Sequence, residues 1–134
     1  MITIQTTVNA SLEKVWKFWT QPEHVMQWNN ASEDWHCPKA TNDLKVGGKF
    51  NYTMASKDGS VSFDFEGDYS KVEAFSLIEY HIIDGRKVIV QFEKTENGVQ
   101  IIESFDPENV HSEELQRDGW QAILNNFKNH TENN

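Results

Sequence analysis

Glu103 and two tyrosines are the residues whose type and position could support acid–base chemistry. Glu103 follows Val99 and Ile101 in an alternating apolar run, which puts it in the phase that points toward the core. A carboxyl buried there would have a raised pKa and could act as an acid or a base in a cavity. The alternative, that strand twist or a bulge turns Glu103 outward, is favoured because buried unpaired glutamates are rare. Tyr52 and Tyr80 share apolar phases, and a buried phenol needs a hydrogen-bond partner.

The spacing of the potential metal ligands and of the glycines argues against other site chemistries. His24, His36 and Cys37 lie too far apart in a loop-like segment, whereas a zinc site takes four close ligands. Gly48-Lys49 is followed by Phe50, where a phosphate-binding loop needs Ser or Thr. No spacing indicates a Ser-His-Asp or Cys-His nucleophile. We therefore predict no metal, no cofactor and no identifiable catalytic set.

Charge and composition narrow the classes of partner. The chain has 134 residues, 12 Lys and Arg against 21 Asp and Glu, and a net charge of −9. Nucleic-acid binders concentrate positive charge, so neither nucleic acid nor an anionic membrane is an expected partner. No apolar run approaches the ~20 residues that span a bilayer, and no signal peptide is evident. Cys37 is a lone cysteine, which suits a reducing compartment, so we predict a cytoplasmic protein.

Aromatic residues are the strongest indication of a binding site. The chain has five Trp, eight Phe and three Tyr. Each one alone is best explained as core, but an aromatic lining with few polar groups is the usual composition of a ligand cavity. The candidate ligand-binding residues are Trp28, Phe50, Tyr52, Phe63, Tyr80, Phe92, Trp120, Ile123, Leu124 and Phe127.

The N-terminal part of the chain changes from strand to helix periodicity. Ile2–Val8 alternates as a half-buried strand does. Ser11 then caps a helix whose apolar stripe is Leu12, Val15, Trp16 and Trp19. Pro22 ends that helix and starts a second, short one over Glu23–Trp28. Asn29–Val46 has no clear period, so we predict a long loop there.

A series of hairpins follows. Asp58-Gly59, Asp84-Gly85 and Asn97-Gly98 separate alternating runs, and these pairs supply the positive φ angles of tight turns. Gly67, inside the third predicted strand, indicates a bulge or a bend that curves the sheet. The runs are Phe50, Tyr52, Met54; Val61, Phe63, Phe65; Ile78, Tyr80, Ile82; Val88, Val90, Phe92; and Val99, Ile101, Glu103, Phe105.

The last element is a long amphipathic helix. Ser112 caps it, and the apolar stripe is Leu115, Gly119, Trp120, Ile123, Leu124 and Phe127. Gly119 is interpreted as a point of close helix–sheet packing, with room for a ligand as the alternative. The polar tail over 129–134 is expected to fray. The order β-α-α-β-β-β-β-β-α predicts a single α+β domain over 1–134, with a six-stranded, curved antiparallel sheet wrapped around the final helix.

Four sequence stretches resemble the family of activator of heat-shock protein 90 ATPase homologues, within the START-like (SRPBCC) superfamily. Together they cover nearly the whole chain in the family's order. They are Val15-Trp16 with Thr20-Gln21-Pro22-Glu23 and Trp28; Val46-Gly47-Gly48-Lys49-Phe50; Phe65-Glu66-Gly67-Asp68-Tyr69 with Val72-Glu73; and Phe105-Asp106-Pro107-Glu108 with Arg117-Asp118-Gly119-Trp120-Gln121-Ala122-Ile123-Leu124.

The resemblance implies a helix-grip (Bet v-like) fold and a cavity, not a particular reaction. Superfamily members carry hydrophobic molecules, and some catalyse cyclisation or hydroxylation. We therefore predict that a small hydrophobic molecule, aromatic or lipid-like, binds between the last helix and the sheet, with the mouth near Trp28 and the Asn29–Val46 loop. The alternatives are a cyclase-type enzyme that uses Glu103 or a Tyr, and a co-chaperone-like interaction module. Chaperone activation itself is not carried over.

Overall fold

The computed structural model describes all 134 residues, Met1–Asn134. Seven strands form one antiparallel sheet in the order β1-β7-β6-β5-β4-β3-β2, and three helices accompany it. In chain order the elements are β1 (Ile2–Val8), α1 (Leu12–Thr20), α2 (Pro22–Trp28), β2 (Trp35–Asn42), β3 (Lys49–Ser56), β4 (Ser62–Glu73), β5 (Leu77–Ile82), β6 (Lys87–Thr95), β7 (Gly98–Phe105) and α3 (Glu113–Glu132).

The three predicted hairpins are confirmed. β3 pairs with β4, β5 with β6, and β6 with β7, all antiparallel. The turn glycines Gly59, Gly85 and Gly98 have φ angles of 79°, 96° and 127°. These angles lie in the region that L side chains rarely adopt, which is why glycine follows Asp or Asn at each turn.

The sheet has seven strands rather than the predicted six. The extra strand, β2, lies within the segment 29–46 that was predicted to be a loop, and it pairs with β3. β2 is an edge strand, and its register shifts between His36 and Lys39, around Pro38. Proline is tolerated at an edge or a bulge, and the shift disrupts the alternation of apolar residues. The period-two signal that reveals a strand is therefore missing from this sequence.

A bulge or a bend was predicted at Gly67, and the pairing shows no bulge at that residue. The register of β4 against β5 shifts between Tyr69 and Lys71, three residues further on. A Cβ atom at Gly67 would lie 2.3 Å from the backbone oxygen of His81 and 3.1 Å from the ring of Phe50. Gly67 is therefore required by the close approach of neighbouring chain segments, not by the bulge.

The helix starts agree with the sequence. The Ser11 hydroxyl accepts a hydrogen bond from the Lys14 amide at the start of α1, and Pro22 occupies the first turn of α2. The Ser112 hydroxyl accepts from the Leu115 amide at the start of α3. Each N-terminus thus satisfies one of the backbone donors that a helix leaves unpaired.

The end of α3 differs from the prediction of a frayed tail over 129–134. The helix continues to Glu132, and the Thr131 side chain is fully buried. The Glu132 carboxylate accepts a hydrogen bond of 2.8 Å from the Asn9 amide and lies 3.3 Å from the Lys128 ammonium. Contacts with the β1–α1 connection therefore order a segment whose polar composition suggested fraying.

The three helices cover different parts of the curled sheet. α3 packs against β1 and also touches α1 and α2, α1 packs against β6 and β7, and α2 packs against β2 at the other edge. One continuous apolar core runs along the inner face of the sheet from β1 to β3 and includes residues of all three helices. No helix combines the length and the apolar character that crossing a bilayer requires.

Candidate ligand-binding cavity

A cavity of about 420 Å³ lies between α3 and the inner face of the sheet. The lining residues come from β2, β3, β4, β5 and β7, from α3, and from the ends of α1 and α2. The β5–β6 turn and the β7–α3 loop complete the lining. Most of them are apolar. The volume falls in the range of ligand pockets, roughly 300–1,000 Å³.

Eight of the ten predicted site residues line this cavity. They are Trp28, Phe50, Tyr52, Phe63, Tyr80, Trp120, Ile123 and Leu124. The aromatic rings of the lining contact one another: the Phe50 ring centroid lies 4.8 Å from that of Tyr80. The centroid of Phe65, a further lining residue, lies 6.0 Å from that of Trp120. Strand alternation thus places inward residues of β3, β4 and β5 at the cavity, and the apolar stripe of α3 lies across from them.

The other two predicted residues, Phe92 and Phe127, do not line the cavity. The ring centroid of Trp19, on α1, lies 5.7 Å from that of Phe92 and 4.9 Å from that of Phe127. Both phenylalanines are buried in the core beneath that indole. Periodicity gives the face of an element to which a residue belongs, but it does not reveal whether another helix fills the space beside it.

The opening of the cavity lies away from its predicted position. Trp28 is buried, and its indole N–H donates a 2.9 Å hydrogen bond to the Phe18 carbonyl, so it closes the inner end. Phe63, with 52% of its surface exposed, and the exposed His111 also line the cavity. The mouth therefore lies between the β3–β4 hairpin and the β7–α3 loop.

Glu103 points into the cavity, and the expectation that it turns outward was wrong. It pairs with Ile4 of β1 and with Val90 of β6, so the strand is regular at this position. Only 6% of the residue is exposed, and burial raises the pKa of its carboxyl to about 8. Because the strand pairing is regular, the side chain keeps the inward direction that the alternation predicts. Its carboxyl faces the open space of the cavity. The group is protonated at neutral pH.

Tyr80 is the second polar group on this wall. It is 9% exposed, with its ring packed against Phe50. Burial raises the pKa of the Tyr80 phenol well above its ordinary value, and the nearby Glu103 carboxyl raises it further. Both side chains therefore remain uncharged at neutral pH, in a mainly apolar chamber.

The inner end of the cavity holds a chain of hydrogen bonds. The Tyr69 hydroxyl donates to Asn42 Oδ1 at 2.5 Å, and Asn42 Nδ2 donates to the Thr20 carbonyl at 2.7 Å. Burial raises the pKa of Tyr69 to about 12 and that of Tyr52 well above its ordinary value. This chain joins β4, β2 and the end of α1, so it fixes the wall opposite the mouth.

The mouth is held by polar side chains of the β7–α3 loop. The Gln116 side chain accepts a 2.8 Å hydrogen bond from the Glu108 amide and donates one of 2.9 Å to the His111 carbonyl. His111 Nδ1 lies 2.9 Å from Glu108 Oε1. Arg86 also lines the cavity, and its Nε donates to Asp84 Oδ2 at 2.8 Å. The hydrogen bonds of Gln116 thus tie the β7–α3 loop to the first turns of α3.

Several of these lining residues escaped the sequence analysis. Tyr69 shares the phase of Phe65 and could have been found by extending that run through Gly67. Asn42 lies in the edge strand that was predicted to be a loop. Arg86, Glu108, His111 and Gln116 lie in a turn, in a loop or on the polar side of α3, where no periodicity marks an inward side chain.

Gly119 does not serve close helix–sheet packing, contrary to the favoured interpretation. A Cβ atom built at this position would meet no other atom within 4 Å. The adjacent Trp120 lines the cavity. The glycine therefore lies beside open space.

An antiparallel sheet curled around a C-terminal helix, with an aromatic-lined cavity between them, defines a helix-grip protein of the START-like type. The chain belongs to the family described as activator of Hsp90 ATPase homolog 1-like protein, whose pattern matches residues 9–132.

Two solved structures are similar to this chain in both sequence and fold. An AHSA1-like protein from Aeromonas hydrophila is 42% identical, with a TM-score of 0.93 over 98% of this chain and 92% of the other. A protein from Cytophaga hutchinsonii is 57% identical, with a TM-score of 0.85 over the same shares. A protein from Nitrosomonas europaea, 16% identical with a TM-score of 0.86, covers 98% of this chain and 94% of its own and shares the fold. No curated protein matches.

Proposed function

We propose that this protein binds a small hydrophobic molecule, aromatic or lipid-like, in the cavity between α3 and the sheet. The observation that carries the proposal is a space of about 420 Å³ that opens to solvent at one end and has aromatic walls. A protein interior is normally close-packed, so a space of this size favours binding over a purely structural role. It also argues against the interaction-module alternative, which needs a filled core beside an exposed apolar patch.

Affinity would come mainly from apolar contact area, at about 25 cal/mol per Å² before the costs of association are subtracted. Phe50, Phe65 and Trp120 offer ring faces and edges to a planar ligand. Aromatic rings prefer offset-stacked or edge-to-face partners, which favours an aromatic ligand among hydrophobic ones.

The test is a titration with ethylbenzene, followed by the chemical shifts of the backbone amides. We expect shifts in β3–β5, β7 and α3, around the cavity. Ile123→Trp, which fills the cavity, should abolish them. Ile102→Trp is the matched control, because Ile102 lies on β7 in the phase opposite to Glu103 and does not line the cavity. Shifts on the outer face, or equal binding by both variants, would contradict the proposal.

A second candidate function, the cyclase-type enzyme, is favoured by one observation. Glu103 has a pKa of about 8 and lies near the Tyr80 phenol, a combination suited to proton transfer near neutral pH. The ionised carboxyl would take a proton from the carbon beside a bound carbonyl while Tyr80 donates a hydrogen bond to the developing enolate oxygen.

Exchange of the acetophenone methyl protons in D₂O tests this second candidate. An enzyme of this kind should accelerate deuterium incorporation above the buffer rate, and Glu103→Gln should remove the acceleration. A pure binding protein leaves the exchange at the buffer rate in both forms.

A further inference from the structure

Two buried polar side chains on the cavity wall have no hydrogen-bond partner in the protein. The Glu103 carboxyl owes its raised pKa to burial alone, with no hydrogen bond to oppose it. The Tyr80 hydroxyl likewise lacks a hydrogen-bond partner and is affected by the charge of Glu103, so the two groups face the same space. Both residues are more than nine-tenths buried.

The buried polar atoms that lack a partner belong to His36, Asn51 and Thr131, not to these two residues. The polar atoms of Glu103 and Tyr80 therefore face the cavity, where water or a ligand can form hydrogen bonds with them. The neighbouring inward positions of β7 hold Ile101 and Phe105, both fully buried. An apolar residue would therefore suit position 103 structurally. A carboxyl there, and a tyrosine rather than a phenylalanine at position 80, indicate partners that come from outside the protein.

The protonation states determine which partner fits. With a pKa of about 8, the Glu103 carboxyl carries its proton at neutral pH, and the Tyr80 phenol does as well. Each then offers an O–H donor to the cavity. Arg86 lines the same cavity and adds positive charge, which disfavours a cationic ligand despite the aromatic walls. The complementary group is an uncharged oxygen acceptor.

We propose that the ligand is an aromatic compound bearing a carbonyl or a similar uncharged oxygen, which accepts hydrogen bonds from Glu103 and Tyr80. This inference rests on the proposed function and specifies its ligand class. Aromatic rings of the ligand would lie among Phe50, Phe65 and Trp120, with the oxygen directed toward β5 and β7.

Four probes with the same ring test the inference: acetophenone, ethylbenzene, benzoate and benzylammonium. Dissociation constants are measured by calorimetry with the full chain at pH 7. One net hydrogen bond corresponds to about three- to tenfold in affinity, so acetophenone should bind that much more tightly than ethylbenzene. Benzoate and benzylammonium should bind more weakly than acetophenone.

Variants at position 103 identify the donor. Glu103→Leu should reduce the preference for acetophenone over ethylbenzene, because only the Tyr80 donor remains. Glu103→Gln keeps an N–H donor, so the preference should persist. In the wild-type protein the preference should decrease as the pH rises to about 9.5 and Glu103 ionises, whereas in Glu103→Gln it should not change.

The other titratable groups of the cavity do not produce this pH effect. Burial raises the pKa of each cavity phenol above the ordinary value for tyrosine, so none of them ionises by about pH 9.5. These phenols are Tyr52, Tyr69 and Tyr80, on β3–β5. Arg86 stays charged throughout. Glu108 and His111 are paired with each other at the mouth. The strands beside Glu103 contribute the apolar residues Ile4 and Val90.

The outcomes separate the inference from the proposed function. Equal affinity for acetophenone and ethylbenzene, or a preference that is undiminished in Glu103→Leu, overturns the inference alone. Tightest binding of benzylammonium means that an ionised Glu103 holds a cation, and tightest binding of benzoate means that Arg86 dominates. Either result overturns the inference. Failure of all four probes to bind contradicts the proposed function as well.

Discussion

Phe105 and Trp120 stack almost face to face, with ring centroids 3.9 Å apart and an angle of 10° between the planes. Phe105 is the fully buried last residue of β7, and Trp120 lies on α3 and lines the cavity. The indole thus packs against a core residue and also forms part of the cavity wall. This pair holds α3 at its distance from the sheet, and that distance leaves room for the cavity.

Replacing Trp120 with alanine should destabilise the protein by about 3 kcal/mol. Deletion of a large aromatic side chain from a core costs about 3–5 kcal/mol, and the low end applies because one side of the indole already faces the cavity. The free energy of unfolding in urea measures the change. Trp120→Phe, which keeps a ring against Phe105, is the control and should lose less than about 1.5 kcal/mol. A loss below about 1 kcal/mol for Trp120→Ala would mean that the stack contributes little.

Glu103 should make the stability of the protein fall as the pH rises. Its pKa is raised to about 8 in the folded chain, whereas in the unfolded chain the carboxyl ionises near 4.5. Between these values the folded state binds the extra proton, so ionisation of the unfolded chain lowers the stability by up to about 1.4 kcal/mol per pH unit. Above about pH 8 the effect levels off.

Urea denaturation between pH 5 and 8.5 tests this expectation. The stability of Glu103→Gln relative to the wild-type protein should increase by a few kcal/mol over that range, because the variant has no group to ionise. Glu93→Gln is the matched control, since Glu93 is an exposed strand residue. Its pH profile should parallel that of the wild-type protein. Parallel profiles for Glu103→Gln would show that the carboxyl is ionised or solvated in the folded state.

The sequence predicts most of the fold because its local signals are of the strongest kind. The Asp-Gly and Asn-Gly pairs fixed three hairpins, and Ser11 and Ser112 fixed two helix starts. The edge strand β2 was missed because an edge strand with Pro38 at a register shift loses the alternation that identifies a strand. The helical end of α3 was missed because long-range contacts, such as that of Glu132 with Asn9, leave no local pattern.

The candidate site was only partly predictable from the sequence. The apolar periodicity of the strands and of α3 was enough to assign Tyr80 and Trp120 to the cavity. The same alternation predicts an inward side chain for Glu103. Because buried unpaired glutamates are rare, an outward side chain was nevertheless favoured for this residue. That expectation fails where the side chain faces a cavity instead of apolar neighbours. Phe92 and Phe127 were assigned to the site because the alternation of a strand or helix does not reveal that Trp19 covers them.

Gly119→Ala should stabilise the protein by about 0.5–1 kcal/mol. Glycine inside a helix costs about this much relative to alanine, and the added methyl group meets no atom within 4 Å. Thermal or urea denaturation measures the gain. Gly67→Ala is the opposite control, because its methyl group would lie 2.3 Å from the His81 carbonyl oxygen and should destabilise the sheet. A loss of stability in Gly119→Ala would mean that the helix needs glycine at this position.

The histidine pair at the junction of α2 and α3 should weaken the fold at acidic pH. His24 Nδ1 lies 3.1 Å from His130 Nε2, and the His24 ring stacks on Phe18 at 3.7 Å. Burial lowers the pKa of His130, and the positive charges of His24 and Lys14 lower it further. The unfolded chain therefore binds the proton more tightly, so stability falls as the pH drops through about 6.5.

Replacement of His130 by glutamine should reduce this acid-induced loss. Because His130 is partly exposed and its charge is screened, we expect a difference of no more than about 1 kcal/mol between pH 7.5 and pH 5.5. Urea unfolding at both pH values measures it in the wild-type protein and in the variant. His81→Gln, on β5 away from this pair, is the control and should retain the wild-type loss. An equal loss in His130→Gln would mean that other groups cause the acid sensitivity and that the two histidines accommodate the proton without strain.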